Sequence, residues 1–306
     1  MVAIEEAALA AGALLMVAGF LYAAVADLKD REVSDALWQV LGPAGFALGL
    51  VGVVPGGVLP AILWVAVGIL TLEHMFAWDD RFGPTVARYA DLVEIVGYAV
   101  VISLLAGVVF RYGLGSNAGP VPVVAVLVSV VFARVLFEAG VLYGGADAKA
   151  LMIAAILVPM FPEPLLFGGG RLLSVPTFLP FAIDLLMNAA LLSLVVPVGI
   201  GLRNMVRGDF SFPRGFTGFR LSVAELPSRF VWVRDPLLPS SQEAEEEIES
   251  SEEDARHRTR IAKELEARGV ESVWVTPQVP FLVLMAAGAI AALVGGNLLV
   301  DLLQWL

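Results

Sequence analysis

Eight stretches of this 306-residue chain are apolar over lengths that suit a bilayer crossing, and nothing else in the sequence restricts the fold as much. They fall at about 8–26, 36–54, 57–74, 91–110, 120–138, 149–166, 177–202 and 280–304. A helix needs about 20 apolar residues to cross the hydrocarbon core. Lipid cannot satisfy backbone N–H and C=O groups, so an open strand or loop is ruled out at that depth. Composition agrees: 58% of residues are hydrophobic and 16% charged, against about 45–50% and 25% in soluble domains. The expected fold is an all-α polytopic membrane bundle of about eight transmembrane helices.

A polar stretch at 203–279 interrupts this pattern. It divides the chain into a transmembrane core at 1–202, a polar insert at 203–279 and a last transmembrane helix at 280–306. The insert holds two strand-like runs, Phe230-Val231-Trp232-Val233 and Val273-Trp274-Val275. Between them, about 251–268 reads as helix, with Glu252, Asp254 and Glu264 each four residues ahead of an arginine. The expected element is a small β-α-β unit. Eight acidic residues lie between Glu243 and Asp254 and carry much of the net charge of −11. That tract reads as a solvated linker with the potential to attract basic peptides.

Lysine and arginine set the orientation. With the N-terminus outside, the inner loops carry Lys29 and Arg31, Arg81 and Arg88, Lys149, and the stretch from Arg203 to Arg268. The outer loops keep only Arg111 and Arg171. Both termini are therefore expected outside and the insert in the cytoplasm. The first apolar segment has an acidic lead-in and no basic n-region, so it is expected to be retained.

There is no cysteine, and the two histidines, His74 and His257, are far apart. Thiolate catalysis and Cys-based zinc sites are thereby excluded, which leaves carboxylates as the groups available for chemistry. Two of them stand at helix ends on the same expected side of the membrane. Asp27 ends the first apolar segment in Asp27-Leu28-Lys29-Asp30-Arg31-Glu32-Val33-Ser34-Asp35, and Asp147 opens the sixth in Gly144-Gly145-Ala146-Asp147-Ala148-Lys149. Glycines ahead of Asp147 permit close backbone approach and unusual torsions. A helix start favours the carboxylate, and Lys149 adds positive potential. A plainer account makes Asp147 an N-cap, Gly144-Gly145 a loop and Lys149 an interfacial cation. Asp184 and Asn188, one turn apart in the seventh segment, read as partners in interhelical hydrogen bonds. Arg134 and Glu138 have ion-pair spacing, and Glu73-His74 and Asp79-Asp80 need no special role.

Together the two aspartate segments resemble those of the archaeal preflagellin and prepilin peptidases, in the type IV prepilin peptidase group of GxGD-like aspartyl proteases. The run from Asp27 to Asp35 matches the family pattern D-x-x-x-R-x-[IV]-[PS]-[ND], and Gly144-Gly145-Ala146-Asp147 matches its glycine motif, with Ala146 in place of glycine. The insert and last helix resemble the archaeal C-terminal extension. The resemblance implies an aspartic endopeptidase with Asp27 and Asp147 as catalytic residues. Arg31, Gly144, Gly145 and Lys149 would be supporting residues. It implies no cofactor and no metal, and no nucleic-acid partner. The partners would be the lipid bilayer and precursors with a basic leader and a hydrophobic segment, cut on the cytoplasmic side. Two departures are clear. More helices separate the aspartates than in the family pattern, and the bacterial tetracysteine region, with the methyl transfer it accompanies, has no counterpart.

The alternative from another class is a small ion-coupled transporter or channel using Asp27, Asp147 and Asp184. Transporters usually show internal repeats and helices broken at mid-membrane, and no repeat is visible here. A presenilin-like protease should carry Pro-Ala-Leu, which is absent. An inactive scaffold with both aspartates retained stays open at this point.

Overall fold

In hydrocarbon each backbone N–H must find its acceptor within its own segment, which is why the apolar runs are helical. The computed structural model describes residues 2–53, 57–76, 84–113, 121–142, 144–160, 179–234 and 251–305. The helices up to the polar region are α1 (Val2–Asp30), α2 (Asp35–Val53), α3 (Val58–Phe76), α4 (Pro84–Tyr112), α5 (Val121–Glu138), α6 (Gly145–Leu157), α7 (Phe181–Ser193) and α8 (Val195–Arg207). Among the described residues, six stretches are long and apolar enough to cross a membrane: Ile4–Asp30, Asp35–Val53, Val58–Met75, Glu94–Arg111, Val121–Glu138 and Phe181–Arg207. The chain is a helical, multi-pass membrane protein with a small sheet.

Contacts divide the chain into two units. One takes 1–25, 33–189 and 282–306; the other takes 26–32 and 190–281.

In the first unit, α6 differs from the expected crossing at 149–166. It starts at Gly145 and runs 13 residues to Leu157. Ala148 and every residue from Ala150 to Leu157 are buried, so this helix is apolar all round because protein surrounds it. Val158 leaves the helix at φ −138°, ψ 79°. It precedes Pro159, whose ring disfavours the α region for its predecessor. Small residues allow close packing around α6: a Cβ at Gly12 of α1 would come within 2.4 Å of the Leu157 carbonyl oxygen.

The expected crossing at 280–304 is two helices, α11 (Phe281–Gly295) and α12 (Leu298–Trp305). Gly296 sits between them at φ 97°, in the left-handed region that suits glycine. Asn297 then caps α12, its Oδ1 accepting from the N–H groups of Leu299 (3.1 Å) and Val300 (3.0 Å). Two polar residues of α7 hold this break. Asn188 donates to the Gly296 carbonyl (2.8 Å) and accepts from the Leu298 N–H (2.8 Å). Asp184 accepts from Asn297 Nδ2 at 2.6 Å. Both α7 residues are fully buried.

The second unit contains α8, a short helix α9 (Arg214–Thr217), and strands β1 (Phe219–Ser222), β2 (Val231–Val233) and β3 (Ser272–Pro277). Helix α10 (Ser251–Ala267) lies between β2 and β3 in sequence. The strand order is β1-β3-β2, and both pairings are antiparallel, with Leu221 opposite Val273 and Val233 opposite Val275. The two expected strands and the helix are present, but β1 is an addition, and β3 lies between the other two strands. Alternation puts Val231, Val233, Val273 and Val275 on one face, packed against Ile261, Ala262 and Leu265 of α10. Buried Asn204 of α8 ties α9 to the helix end by donating to the carbonyls of Gly215 (2.9 Å) and Gly218 (2.7 Å). Glu243 to Ser250 of the acidic tract, Asp79-Asp80, Arg81 and Arg171 lie outside the described residues.

Gly288 tests a close helix contact in the first unit. A Cβ there would meet the Leu185 carbonyl oxygen at 2.7 Å and the Ala189 nitrogen at 2.8 Å, which are backbone atoms of α7. Gly288→Ala should therefore lower stability by about 1–3 kcal/mol in detergent melts, the usual cost of overpacking. Gly199→Ala in α8, where a Cβ meets nothing within 4 Å, should leave stability unchanged or raise it.

Candidate active site

Asp27 occupies the last turn of α1. The helix ends through Arg31, which stands at φ 58° and donates its N–H to the Asp27 carbonyl at 3.3 Å. This is the left-handed closure that usually employs glycine. Arginine in that conformation is strained by order 1 kcal/mol or more, so surrounding contacts must hold it. Its Nη1 lies 3.7 Å from Asp27 Oδ1, with both side chains largely buried. Burial pulls the Arg31 guanidinium below its ordinary pKa, and the neighbouring Asp27 charge opposes that. An arginine still keeps its proton under these conditions.

Asp147 lies in the first turn of α6, half-buried, near the positive end of the helix dipole. Gly144 precedes the helix at φ −96°, ψ 127°, ordinary extended backbone. Glycine leaves space there: a Cβ would come within 3.1 Å of Asp147 Oδ2 and press on that carboxyl. Torsional freedom, which the sequence suggested as a second reason, is not required. At Gly145 a Cβ meets nothing within 4 Å, so that glycine is not dictated by local crowding.

Lys149 does something the sequence did not suggest. Its Nζ donates to Asp35 Oδ1 at 2.6 Å. Asp35 is the last position of the first motif and the first residue of α2, so this pair joins the end of one motif to the other within the first unit. Asp27 and Arg31 belong to the second unit, and Asp147 and Lys149 to the first. The spacing of 114 residues left no local signal for the pairing. The usable clue was that the motif ends in a residue able to accept a hydrogen bond.

A second polar cluster ties α3, α4 and α5 together. Arg134 reaches Glu94 (2.8 Å), His74 Nδ1 (2.6 Å) and Glu138 (2.9 Å), and His74 Nε2 meets the Tyr98 hydroxyl at 2.8 Å. The Arg134–Glu138 pairing is the one expected from spacing. His74 is more engaged than expected, since its ring bridges two helices. Ligand atoms of Glu73, His74 and Glu94 lie within 4.8 Å of one another, close enough to hold a metal ion. The Arg134 guanidinium contacts two of those three residues, Glu94 and His74, and supplies the charge a cation would bring. Asp184, which an ion pathway would need, is committed to Asn297 as described above.

These features define a class first: a multi-pass membrane protein with motif-bearing carboxylates at helix ends and a C-terminal α/β unit. The family model described as "Archaeal Peptidase A24 C-terminus Type II" matches residues 212–298. The preflagellin peptidase of Methanocaldococcus jannaschii is 28% identical over 145 residues, covering 46% of this chain and 57% of that protein. The preflagellin peptidase of Methanococcus maripaludis is 21% identical over 292 residues, covering 93% of this chain and 95% of that protein. The match thus spans little more than half the length of the first relative and almost all of the second. Over these stretches the chain is similar to archaeal preflagellin peptidases.

The Asp35–Lys149 contact can be measured directly. Partly exposed pairs of this kind contribute about 0.2–1 kcal/mol. Asp35→Asn and Lys149→Met should each lower thermal stability slightly, and the double variant should lose less than the two losses added. Full additivity in that cycle would mean the pair does not form.

Proposed function

We propose that this protein is an aspartic endopeptidase that removes basic leader peptides from preflagellin-like or prepilin-like precursors at the cytoplasmic face of the membrane. The observation that carries this reading is the coupling of the two motifs: the segment begun by Asp27 ends in Asp35, and Asp35 is bonded to Lys149, two residues after Asp147. The names of the two relatives supply the substrate class.

Asp27 and Asp147 act in this reading as a pair sharing one proton. The ionised carboxylate takes a proton from water as that water attacks the scissile carbonyl. The protonated partner hydrogen-bonds the developing oxyanion and then delivers a proton to the leaving amine. Two like charges at close range cannot both ionise, which keeps the pair in this mixed state. Arg31 supports the ionised form of Asp27, the helix dipole supports that of Asp147, and Gly144 leaves room for the Asp147 carboxyl. No step calls for a thiol, metal or cofactor.

The lysine and arginine distribution sets the side of action. Both carboxylates then meet the cytoplasmic interface, where a precursor anchored by its hydrophobic segment offers an extended stretch behind its basic leader. Peptide groups already hydrogen-bonded in a membrane helix are poor targets by comparison.

Asp27→Asn and Asp147→Asn should each reduce cleavage of such a precursor by about three orders of magnitude or more, and the double variant should be little worse, since the pair acts as a unit. The measurement is cleavage in membranes carrying the full chain, with N-terminal sequencing of the product. The new terminus should fall between the leader and the hydrophobic segment. Wild-type rates in either variant would sink the assignment, and a terminus inside the hydrophobic segment would overturn the side of action. Asp184→Asn should keep most activity.

A further inference from the structure

Arg31 is strained and its side chain is largely buried, yet its Nε and Nη1 are without a hydrogen bond of normal length among the described residues, Asp27 Oδ1 standing 3.7 Å from Nη1. What it has besides the Asp27 charge is an aromatic ring. Its guanidinium carbon lies 5.0 Å from the centroid of Phe230, within cation–π range. Phe230 comes from the C-terminal α/β unit, immediately before β2, some two hundred residues away in sequence.

That ring is itself held from several directions. The Phe230 carbonyl accepts from the Gln278 N–H at 3.0 Å, which extends the β2–β3 ladder by one bond. Gln278 then donates its Nε2 to Asp254 Oδ2 at 3.0 Å. Asp254 pairs with Arg258, one turn on in α10, and Arg258 lies over the same Phe230 ring at 5.3 Å. Arg258 is only 4% exposed. Each of the two cations over the ring therefore has its own carboxylate, Asp27 for Arg31 and Asp254 for Arg258. The circuit closes through strand, helix and ring, and all its members belong to the second unit.

We propose that Phe230, backed by Arg258, is a positioning residue for the first catalytic aspartate, acting through Arg31. The inference rests on the function proposed above and assigns the C-terminal α/β unit a part in the chemistry. The ring fixes the guanidinium, the guanidinium fixes the end of α1, and that sets where the Asp27 carboxyl points. Precise placement matters because small errors in the position of a reacting group cost rate rather than substrate affinity.

The test uses the full-length protein in membranes with a synthetic precursor carrying a basic leader and a hydrophobic segment. Wild-type protein that fails to cleave would fault the proposed function, independently of this inference. Given cleavage, Phe230→Leu keeps bulk but removes the ring face. It should lower kcat by about tenfold, leave KM within about twofold and not shift the melting temperature. Arg31→Gln combined with Phe230→Leu should be no slower than Arg31→Gln alone, since the ring acts only through that guanidinium. A merely structural ring would instead lower stability and add its loss to that of Arg31→Gln. If Phe230→Leu does not fold, ring-fluorinated phenylalanines at position 230 keep the shape while weakening the π face, and kcat should fall with each added fluorine. Unchanged kcat in the leucine variant or across the fluorinated series, or additive losses in the double variant, would overturn the proposal.

Discussion

Hydrocarbon offers no hydrogen bonds, and the organisation of the membrane segments follows from that. Backbone groups satisfy themselves as helices, but side chains such as Asp184, Asn188, Glu94, His74 and Arg134 must find each other. Asp184 and Asn188 do so by bracing Gly296 and Asn297, where the last apolar segment leaves its helix and begins another. Arg134 does so by gathering partners from three helices. Each such bond in a membrane protein averages about 0.6 kcal/mol, modest in stability but specific in register. The polar residues thus determine which helix meets which, while apolar packing supplies the bulk of contact.

The same economy applies at the two aspartate motifs. Each consists of a carboxylate and the residues that keep its surroundings in shape. At Asp27 the shaping residue is an arginine held in a conformation that costs energy; at Asp147 it is a glycine whose missing side chain leaves space. Lys149, read at first as a source of positive potential for Asp147, is bonded to Asp35. Its charge is therefore shared between holding α2 to α6 and whatever field reaches the Asp147 carboxylate two residues before it.

Much of this was legible before any coordinates. The apolar runs specify helices because lipid permits little else, and the charged i,i+4 spacing of α10 and the alternating valines of β2 and β3 are periodic signals. The motif residues were legible as resemblance. What escaped has a common cause, namely contacts between segments distant in sequence. His74 meets Tyr98 and Arg134 across 24 and 60 positions, and Lys149 meets Asp35 across 114. Strand β1, four residues with arginine and serine among them, carries too short an alternation to announce itself. The break in the last segment was written as Gly295-Gly296-Asn297, a strong turn signal, but the surrounding apolar run outweighed it.

Gly145 has a practical consequence. A side chain there meets nothing within 4 Å, it lies two residues from Asp147, and the chain contains no cysteine. One introduced thiol would therefore be the sole thiol in the molecule. It would lie close to a carboxylate that a side chain at Gly144 would instead crowd. A spectroscopic label attached there would report on water, lipid or peptide entering the neighbourhood of that carboxylate without a background to subtract. The absence of cysteine from this sequence makes the most chemically interesting end of α6 also the easiest to watch.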